Sequence, residues 1–473
     1  MLLAMAVNTK VPGPHGRDWL RILNTLRRDT LSVLIELTQH YGDFVCAFLG
    51  KLPIYVLNHP EMVQWVLQRN YRNYSKDTFQ YNLLRKVTGD GLLTSDGELW
   101  LNQRRLAQPA FSRNRIGGFS TMMVEVTQSM LEQWEDFAKG GTPIDIYAEM
   151  MRLALEIVGK ALFSIDLGEK SNDLTKATLE ALEYVVYRAR NPFAAPIWIP
   201  TSHNRKFQIA LRTLDEVVYG LVQRRQQSLA MDNISIDEEK RFGVRSLNKP
   251  QGDLLDMLLN TEYGQPLTKI RERSVRDQIV TLLIAGHETI ASALTWTLYL
   301  LAKHPSIAEP LREQVISVLG RREPTSQALE EIPFLRMVFQ EGLRLYPPAW
   351  LITRKALQED EVCGYTILPN SLIVISPYTL HRHPVFWNNP EEFNPQRFSP
   401  DISKERPRFS YIPFGGGPRL CIGDEFAMLE GQIVLAAILQ HFRFTLVRQE
   451  VAVEPLVTLL PRGGMWMKLH RAR

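Results

Sequence analysis

The segment Phe414-Gly-Gly-Gly-Pro-Arg-Leu-Cys421-Ile-Gly423 places a single cysteine in a glycine-rich loop. An apolar pattern that begins at Asp424 predicts a helix directly after this loop. The positive end and free N–H groups of such a helix would lie beside the sulfur and stabilise a thiolate. The three consecutive glycines permit turns that a β-carbon would obstruct, and let the chain approach a flat ligand closely. A lone cysteine is usually a small buried hydrophobe, but this setting predicts an anionic sulfur.

Five spaced positions of this loop resemble the heme-binding loop of cytochromes P450: Phe414, Gly417, Arg419, Cys421 and Gly423. The resemblance implies that Cys421 is the axial ligand of a heme b iron, and that Phe414 and Gly423 belong to the cofactor-binding loop. A thiolate ligand donates electron density that favours cleavage of an O–O bond. Arg419 is placed to pair with a heme propionate, which an always-charged guanidinium does well.

A second motif, Ala285-Gly-His-Glu-Thr289, lies inside a long apolar pattern that predicts a central helix. Gly286 within a helix costs about 1 kcal/mol relative to alanine, so its presence needs a reason. The motif resembles the oxygen-activation motif of the same family. The resemblance implies that Ala285 and Gly286 open a groove for dioxygen, and that Glu288 and Thr289 deliver protons. Taken alone, such a pair would more often be a solvated acid and a threonine bonded back to the helix backbone.

A third motif, Glu341-Gly-Leu-Arg344, places a carboxylate and a guanidinium one helical turn apart. On a protein surface such a pair contributes only about 0.2–0.5 kcal/mol. Together with Phe393-Asn-Pro-Gln-Arg397, however, it resembles the buried Glu-Arg-Arg network of the family. The resemblance implies a structural role, in which Glu341, Arg344 and Arg397 fix the chain before the cysteine loop.

Three further residues enter the cofactor site by resemblance. Arg354 resembles the propionate-binding arginine on the first strand after that helix. Trp100 and Arg104 resemble the Trp-x-x-x-Arg pair of the family. Because they lie four residues apart on one helix face, both could reach the same propionate.

The composition is that of a globular protein of 473 residues, 45% of them hydrophobic, with a formal net charge of +4. This small charge gives no indication of nucleic-acid binding. The three cysteines are too few and too scattered for a disulfide framework, which favours a reducing, cytoplasmic compartment. The apolar start, residues 1–7, is far below the ~20 apolar residues of a membrane span, so we expect a soluble protein.

The periodicity of apolar residues predicts a mainly α fold with a small β region, formed by residues 1–473 as a single catalytic domain. The expected stretches are helices at about 97–348 with a cap at Asp96, strands at about 43–58 and 349–400, the heme loop at 414–423, and a hairpin from Phe442. The charged segment 231–251 is expected to be a solvated loop. The family resemblance implies the cytochrome P450 fold, with heme between the central helix and the helix after the cysteine loop.

The source of electrons follows from the length of the chain. It ends at residue 473, which leaves no room for a flavin or iron–sulfur domain after the heme loop, so no bound flavin is expected. The resemblance then implies a separate ferredoxin or flavodoxin with an NAD(P)H-dependent reductase. Such partners are acidic, and several basic residues flank the segments expected on the cysteine side of the heme: Arg104, Arg105, Arg113, Arg115, Lys404, Arg406 and Arg408. A scatter of ordinary solvated charges would explain these residues equally well.

The resemblance implies a monooxygenase that inserts one oxygen atom of O2 into a C–H bond. One alternative is a peroxide-driven heme-thiolate hydroxylase, but such members of the family tend to replace the acid–hydroxyl pair, which is intact here. A second alternative is a heme-based gas or redox sensor without catalysis. No sensor or output segment accompanies the heme loop, and the acid–hydroxyl pair would have no purpose there.

The expected substrate is long and apolar. The candidate pocket residues are mostly apolar and include no cluster of charges to bind a polar substrate: Phe79, Tyr81, Leu93, Ile284, Trp350, Leu351 and Met465. A position in the core would explain each of them equally well. The segments Thr78-Phe-Gln-Tyr81 and Leu345-Tyr-Pro-Pro-Ala-Trp350 resemble carotene-ring hydroxylases of the family. We therefore expect a carotenoid such as β-carotene first, and a fatty acid or other lipid second.

The run Phe193-Ala-Ala-Pro-Ile-Trp-Ile-Pro200 lies between two predicted helices, where the family has its access lid. A loop that exposes Phe, Ile and Trp is costly in water unless it covers a pocket or touches lipid. The run therefore predicts either a cover over the substrate site or a peripheral membrane contact.

Overall fold

The structure is a computed structural model that describes residues 11–26, 29–165, 170–191, 193–242, 253–259 and 268–472. The apolar start at 1–7 lies outside these residues. So does 243–251, the second part of the expected solvated loop. The first part of that loop, 231–242, was predicted wrongly, because it continues a long helix. Its glutamate, lysine and arginine residues are good helix formers, so their charge did not indicate a loop.

Helices make up most of the described chain, in agreement with the predicted fold class. The α-helices are α1 (Gly16–Leu26), α2 (Thr30–Tyr41), α3 (Pro60–Gln64), α4 (Phe79–Thr88), α5 (Gly97–Ala107), α6 (Arg113–Gly118), α7 (Ser120–Gly140), α8 (Ile146–Phe163), α9 (Lys170–Arg190), α10 (Ser202–Phe242), α11 (Leu254–Leu259), α12 (Lys269–Lys303), α13 (Pro305–Leu319), α14 (Ser326–Leu329), α15 (Pro333–Leu345), α16 (Pro377–Leu380), α17 (Pro400–Glu405) and α18 (Asp424–His441). The Asp96 carboxylate accepts a hydrogen bond from Gly97 N at 3.1 Å, which confirms the predicted cap of α5.

Most strands lie in the expected regions near the two ends of the chain, and the short β4 lies outside them, within the stretch expected to be helical. They are β1 (Phe44–Leu49), β2 (Leu52–Leu57), β3 (Tyr74–Ser75), β4 (Ile144–Asp145), β5 (Ile352–Ala356), β6 (Asp360–Val362), β7 (Tyr365–Ile367), β8 (Leu372–Ile375), β9 (Phe442–Leu446), β10 (Val453–Pro455), β11 (Leu459–Pro461) and β12 (Trp466–Arg471). One sheet has the order β1-β2-β8-β5-β3, in which only β2 and β8 are parallel. A second sheet has the order β4-β12-β9, so the predicted terminal hairpin is formed by β9 and β12.

The main hydrophobic core surrounds α12, which is buried between α8, α15 and α18. This helix is the one described helix that is long and apolar enough to cross a membrane, but 83% of its most apolar window is buried inside the protein. Its apolar pattern is therefore that of a core helix. Smaller cores cover the two faces of the five-stranded sheet, because alternate residues of β1 point to opposite sides, with Phe44 on one and Val45 on the other.

A fully buried ion pair joins α15 to the chain that leads to the cysteine loop. The side chains of Glu341 and Arg344 have no exposed surface, and Arg344 donates from Nε and Nη2 to the two carboxylate oxygens at 2.6 and 2.8 Å. Arg397 Nε lies 3.3 Å from the same carboxylate, and Asn394 N donates to it at 2.9 Å. The expected three-residue cluster is therefore brought together in the fold.

Arg344 also binds the backbone of the following segment. Its guanidinium donates to the carbonyl oxygens of His381 at 2.9 Å, Pro390 at 2.6 Å and Glu392 at 3.0 Å. One side chain thus fixes three points of an irregular stretch that has little regular structure of its own. We expect the position of this stretch to depend on Arg344.

The substitution Arg344→Ala should lower the free energy of unfolding by about 3–5 kcal/mol, because it leaves the Glu341 carboxylate buried without its partner. This is a large share of the ~5–15 kcal/mol of a typical protein. Denaturant unfolding of the purified protein measures the change. Arg336→Ala is the matched control, because Arg336 lies exposed on the same helix. Equal stability of the two variants would contradict a structural role for the pair.

Candidate active site

The cysteine loop is closed by its own backbone and fits tightly against a neighbouring segment. Cys421 N donates to Phe414 O at 3.0 Å, and α18 begins three residues after the cysteine. Gly417 has φ +68°, and a β-carbon there would lie 1.9 Å from the Leu67 carbonyl oxygen. Only glycine fits this position, because any other residue would be strained and would collide with backbone.

The Cys421 sulfur lies among protein atoms on most sides, although its side chain is solvent-exposed. Burial raises the pKa of the thiol to about 11. The Gly423 N–H and the Arg104 charge act in the opposite direction, while Asp424 raises the pKa further. A metal cation bound to the sulfur would favour the thiolate outright, since coordinating thiols are deprotonated.

The central helix α12 is open at one place. Between residues 275 and 301 every residue is buried except Ala285, Gly286 and Thr289. Ala285 and Thr289 lie four residues apart and share one face of the helix, whereas the Gly286 position is turned towards α8. The Thr289 hydroxyl donates to the Ala285 carbonyl at 2.7 Å. The second motif therefore lies where the buried helix has a half-exposed face.

The structure gives Gly286 a packing reason. A β-carbon at this position would lie 2.6 Å from Cγ2 of Val158 on α8. The absence of a side chain thus lets α8 and α12 approach each other closely. The expected part of Gly286 in a dioxygen groove stays a prediction.

Glu288 is buried, with 2% of its surface exposed. Its Oε1 accepts a hydrogen bond from the Thr458 hydroxyl at 2.9 Å. Burial raises the pKa of Glu288 to about 7, while this hydrogen bond lowers it. An acid with such a pKa gains and loses a proton near neutral pH, which general acid catalysis requires.

Comparison with known proteins agrees with this arrangement. The sequence profile of the family described as Cytochrome P450 matches residues 12–466. The chain belongs to the cytochrome P450 family. It is therefore a monooxygenase of the heme-thiolate class that uses O2. Members of this family act with redox partner proteins and on apolar substrates.

Two relatives and one solved structure show the extent of the similarity. Cyclooctatin synthase of Streptomyces melanosporofaciens is 36% identical, over 88% of this chain and 86% of the relative. Protein LUTEIN DEFICIENT 5, chloroplastic, of Arabidopsis thaliana is 32% identical, over 92% of this chain and 72% of the relative. The crystal structure of the cytochrome P450DA heme domain is 25% identical, covers 98% of both chains, and has a TM-score of 0.83.

The described residues of this P450 fit a cofactor that carries two carboxylates. Lys76 and Arg354 are 7% and 6% exposed, and the Arg419 side chain is 9% exposed. Burial, followed by the charges of Arg354 and Arg419, lowers the pKa of Lys76 well below its usual value, and Asp96 is the one carboxylate that opposes this. Two buried guanidiniums and a buried lysine beside one carboxylate favour further anions, such as heme propionates.

Sequence reasoning missed Lys76, because an isolated lysine in a loop gives no signal of burial. Its Nζ donates to the Leu93 carbonyl at 2.8 Å and lies 4.8 Å from the centre of the Tyr81 ring. Its backbone N–H donates to Asp96 at 2.6 Å. The segment Thr94-Ser95-Asp96 predicts a helix cap, but it does not show that Asp96 meets Lys76.

Arg104 and Trp100 do not share one partner in the structure. The Trp100 ring lies under Arg419, whose guanidinium carbon is 4.0 Å from the ring centre. Arg104 instead donates to the Leu420 carbonyl at 3.0 Å and lowers the pKa of Cys421. The two side chains thus have different protein partners, and their binding of a common propionate stays a prediction.

The candidate pocket residues occupy different surroundings. Ile284 is buried on α12 next to the open face, and Leu93 is half-buried. Tyr81 lies among the cations rather than in an apolar lining, with its hydroxyl 3.5 Å from Arg354 Nη1. The other four are placed as follows: Phe79 is 57% exposed, Trp350 is buried with Nε1 bonded to Leu456 O, Leu351 is half-buried, and Met465 is fully buried with its N–H bonded to Asp145. Contact of these residues with substrate stays a prediction.

The basic residues expected to face a redox partner are also divided. Four of them are exposed: Arg105, Arg113, Lys404 and Arg408. Arg406 is not available, because its guanidinium lies 4.4 Å from the Trp387 ring centre and 4.6 Å from that of Phe398, and it donates to the Arg397 carbonyl. The sequence could not show this, because the two aromatic rings are distant along the chain.

The substitution Lys76→Met should have opposite effects on the protein with and without heme. A buried lysine whose pKa is lowered in the folded state costs stability below its unfolded pKa, so the variant apoprotein should be more stable at pH 7. Its affinity for heme should fall about tenfold, since a hydrogen bond to a charged group contributes about 1.5–3 kcal/mol. Thermal unfolding of the apoprotein and heme transfer to apomyoglobin measure the two effects.

The exposed Lys86 provides the control, because Lys86→Met removes the same charge from a nearby solvated position. Loss of apoprotein stability in Lys76→Met, with unchanged heme affinity, would show that Lys76 does not face the cofactor.

Proposed function

We propose that this P450 hydroxylates a long apolar substrate, with a carotenoid such as β-carotene as the first candidate. The observation that carries the proposal is the half-exposed face of α12, where Ala285, Gly286 and Thr289 interrupt an otherwise buried apolar helix. A substrate seated there would meet small and apolar groups. The names of two relatives point to cyclooctatin and to the carotenoid lutein.

In this proposal Cys421 is the axial ligand of heme b, which supplies the chemistry of O2 activation when bound. Arg419, Arg354 and Lys76 hold its carboxylates, Trp100 supports Arg419, and the loop from Phe414 to Gly423 positions the sulfur. Glu288 holds a proton for delivery to the side of α12 that carries Thr289. The electrons come from a separate ferredoxin or flavodoxin with its NAD(P)H-dependent reductase. The exposed basic residues near the cysteine loop bind the ferredoxin or flavodoxin.

A fatty acid is the second candidate substrate, and the position of one arginine distinguishes it from a carotenoid. A fatty-acid carboxylate would need a cation to bind it, and Arg462, directly after β11, is one candidate. Arg462 is exposed, and its N–H donates to the Ala452 carbonyl at 2.8 Å. An exposed arginine does not favour binding of a carboxylate inside the site, so the carotenoid is preferred.

Spectral titration of the ferric protein should show a saturable change with β-carotene, followed by ring-hydroxylated product with a surrogate ferredoxin, its reductase and NADPH. Arg462→Gln should leave both unchanged. Saturation by long-chain fatty acids that is lost in Arg462→Gln would favour the second candidate. Turnover by hydrogen peroxide at the rate seen with NADPH would favour a peroxide-driven enzyme, and binding without any turnover would favour a sensor.

We also propose that the segment 193–200 brings this P450 to a membrane surface. Phe193 and Trp198 are 96% and 78% exposed, although the segment itself is firmly held. Arg188 donates to the carbonyls of Ala194 and Ala195, and Asn204 to those of Pro196 and Ile199, at 2.7–2.9 Å. Exposed basic residues on α10 flank the two aromatic rings: Arg205, Lys206 and Arg212. Aromatic rings with basic neighbours suit an anionic lipid surface.

Vesicles that contain anionic lipid should retain the protein in a flotation assay, and Phe193→Ser with Trp198→Ser should reduce this binding about tenfold or more, because each ring buries a large apolar area in the interface. Ile402→Ser, which removes a 51% exposed apolar side chain elsewhere, should not. Equal loss in the control would contradict a specific contact.

A further inference from the structure

The residue that holds the Glu288 carboxyl is distant in the sequence. Thr458 is 3% exposed and lies in the turn between β10 and β11, 170 residues from Glu288. Its hydroxyl donates to Glu288 Oε1 at 2.9 Å. Among the described residues, this is the side-chain hydrogen bond that acts on the pKa of Glu288.

The turn that carries Thr458 is fixed on α12 by two further bonds. The carbonyl of the next residue, Leu459, accepts from Ser292 Oγ at 2.6 Å and from Trp296 Nε1 at 2.9 Å. Glu288, Ser292 and Trp296 follow one another at intervals of four and therefore share a face of the helix. The Thr458 hydroxyl is thus held in place by its backbone before it meets the acid.

Few other groups face the Glu288 carboxyl. The Tyr147 hydroxyl on α8 is buried without a hydrogen-bond partner among the described residues, and after burial itself the Glu288 charge is the largest influence that raises its pKa. Asp145 and Glu183 act on Tyr147 more weakly. His287, the adjacent residue on α12, is bonded to the Leu283 carbonyl at 2.7 Å, and burial lowers its pKa to about 4, so it is neutral.

Two opposed influences therefore act on the acid. Burial favours the protonated carboxyl, and the Thr458 hydroxyl, as a donor, favours the carboxylate. Ser292 and Trp296 dock the same turn but do not touch the carboxyl. Mutation of Ser292 therefore tests the docking of the turn, and mutation of Thr458 tests the effect on the pKa of Glu288.

We propose that Thr458 is a positioning residue for oxygen activation, whose hydroxyl orients the Glu288 carboxyl and limits the pH range in which that carboxyl carries its proton. The proposal rests on the proposed role of Glu288 as proton donor. In each delivery the carboxyl gives up one proton towards the Thr289 side of α12 and regains one from solvent, and no electrons move through it. Thr458 itself neither donates nor accepts the transferred proton.

Infrared difference spectroscopy can follow the protonated carboxyl of Glu288 directly, with Glu288→Gln as the reference that lacks the signal. In Thr458→Val, which keeps the shape of the side chain and removes the donor, the apparent pKa should rise by about one unit. Thr458→Ser should restore the value of the unsubstituted protein. This measurement needs neither substrate nor turnover, so it tests Thr458 even if Glu288 has another role.

The second readout is the coupling of NADPH consumption to hydroxylated product. With β-carotene, NADPH and a surrogate ferredoxin and reductase, Thr458→Val should release more hydrogen peroxide per NADPH, with its optimum moved to higher pH by the same amount. The matched control is Ser292→Ala, which loosens the same turn and should leave the carboxyl signal and the pH optimum unchanged. An unshifted carboxyl titration in Thr458→Val, or an equal shift in Ser292→Ala, would overturn the proposal. If the titration moves while Glu288→Gln remains fully coupled, the proposed role of Glu288 fails and that of Thr458 as its partner stands.

Discussion

The buried ion pair between Glu341 and Arg344 joins α15 to the chain that leads to the cysteine loop. Two charges without any exposed surface are stable only if each finds further partners, because taking them out of water costs several kcal/mol per ion. Arg344 finds them in three backbone carbonyls of the following segment. The hydrogen bonds of one guanidinium thus hold a stretch that has little secondary structure.

A short series of hydrogen bonds connects the ion pair to the cysteine loop. His381, whose carbonyl accepts from Arg344, receives the Ile412 N–H on its Nε2 at 2.9 Å. Ile412 precedes the loop by two residues, and the loop closes through the bond from Cys421 N to Phe414 O. At the far side, Gly417 fits against the Leu67 carbonyl. The loop is therefore held by polar bonds at its start and by close packing at Gly417.

The second motif on the central helix α12 lies in two kinds of surroundings. Ala285 and Thr289 are half-exposed, unlike the neighbouring residues of the helix. Glu288 is buried and bonded to Thr458 in the turn between β10 and β11. An acid shielded in this way keeps a pKa near neutrality, whereas a solvated glutamate would be ionised. The adjacent positions of acid and hydroxyl in the sequence conceal that they face different surroundings.

Much of the fold and the outline of the site could be predicted, because they are encoded locally. The glycine-rich loop, the helix after it, the cap at Asp96 and the apolar pattern of α12 each lie within a few residues. Burial of single polar residues could not be predicted, since it results from contacts between distant segments: Lys76 with Arg354 and Arg419, Thr458 with Glu288, and Arg406 with Trp387. The continuation of α10 through 231–242 was missed for a different reason, because charge was taken as a sign of a loop where helix propensity prevailed.

The proposed ligation of iron by the Cys421 sulfur is tested most directly by the spectrum of the ferrous carbonyl complex. The unsubstituted protein should show the red-shifted Soret band of thiolate ligation, because the thiolate donates electron density to the iron. Cys363→Ser, at an exposed cysteine far from the loop in sequence, should keep that band. Cys421→Ser should lose it together with all turnover. A red-shifted band that persists in Cys421→Ser would place the ligand elsewhere and contradict the account.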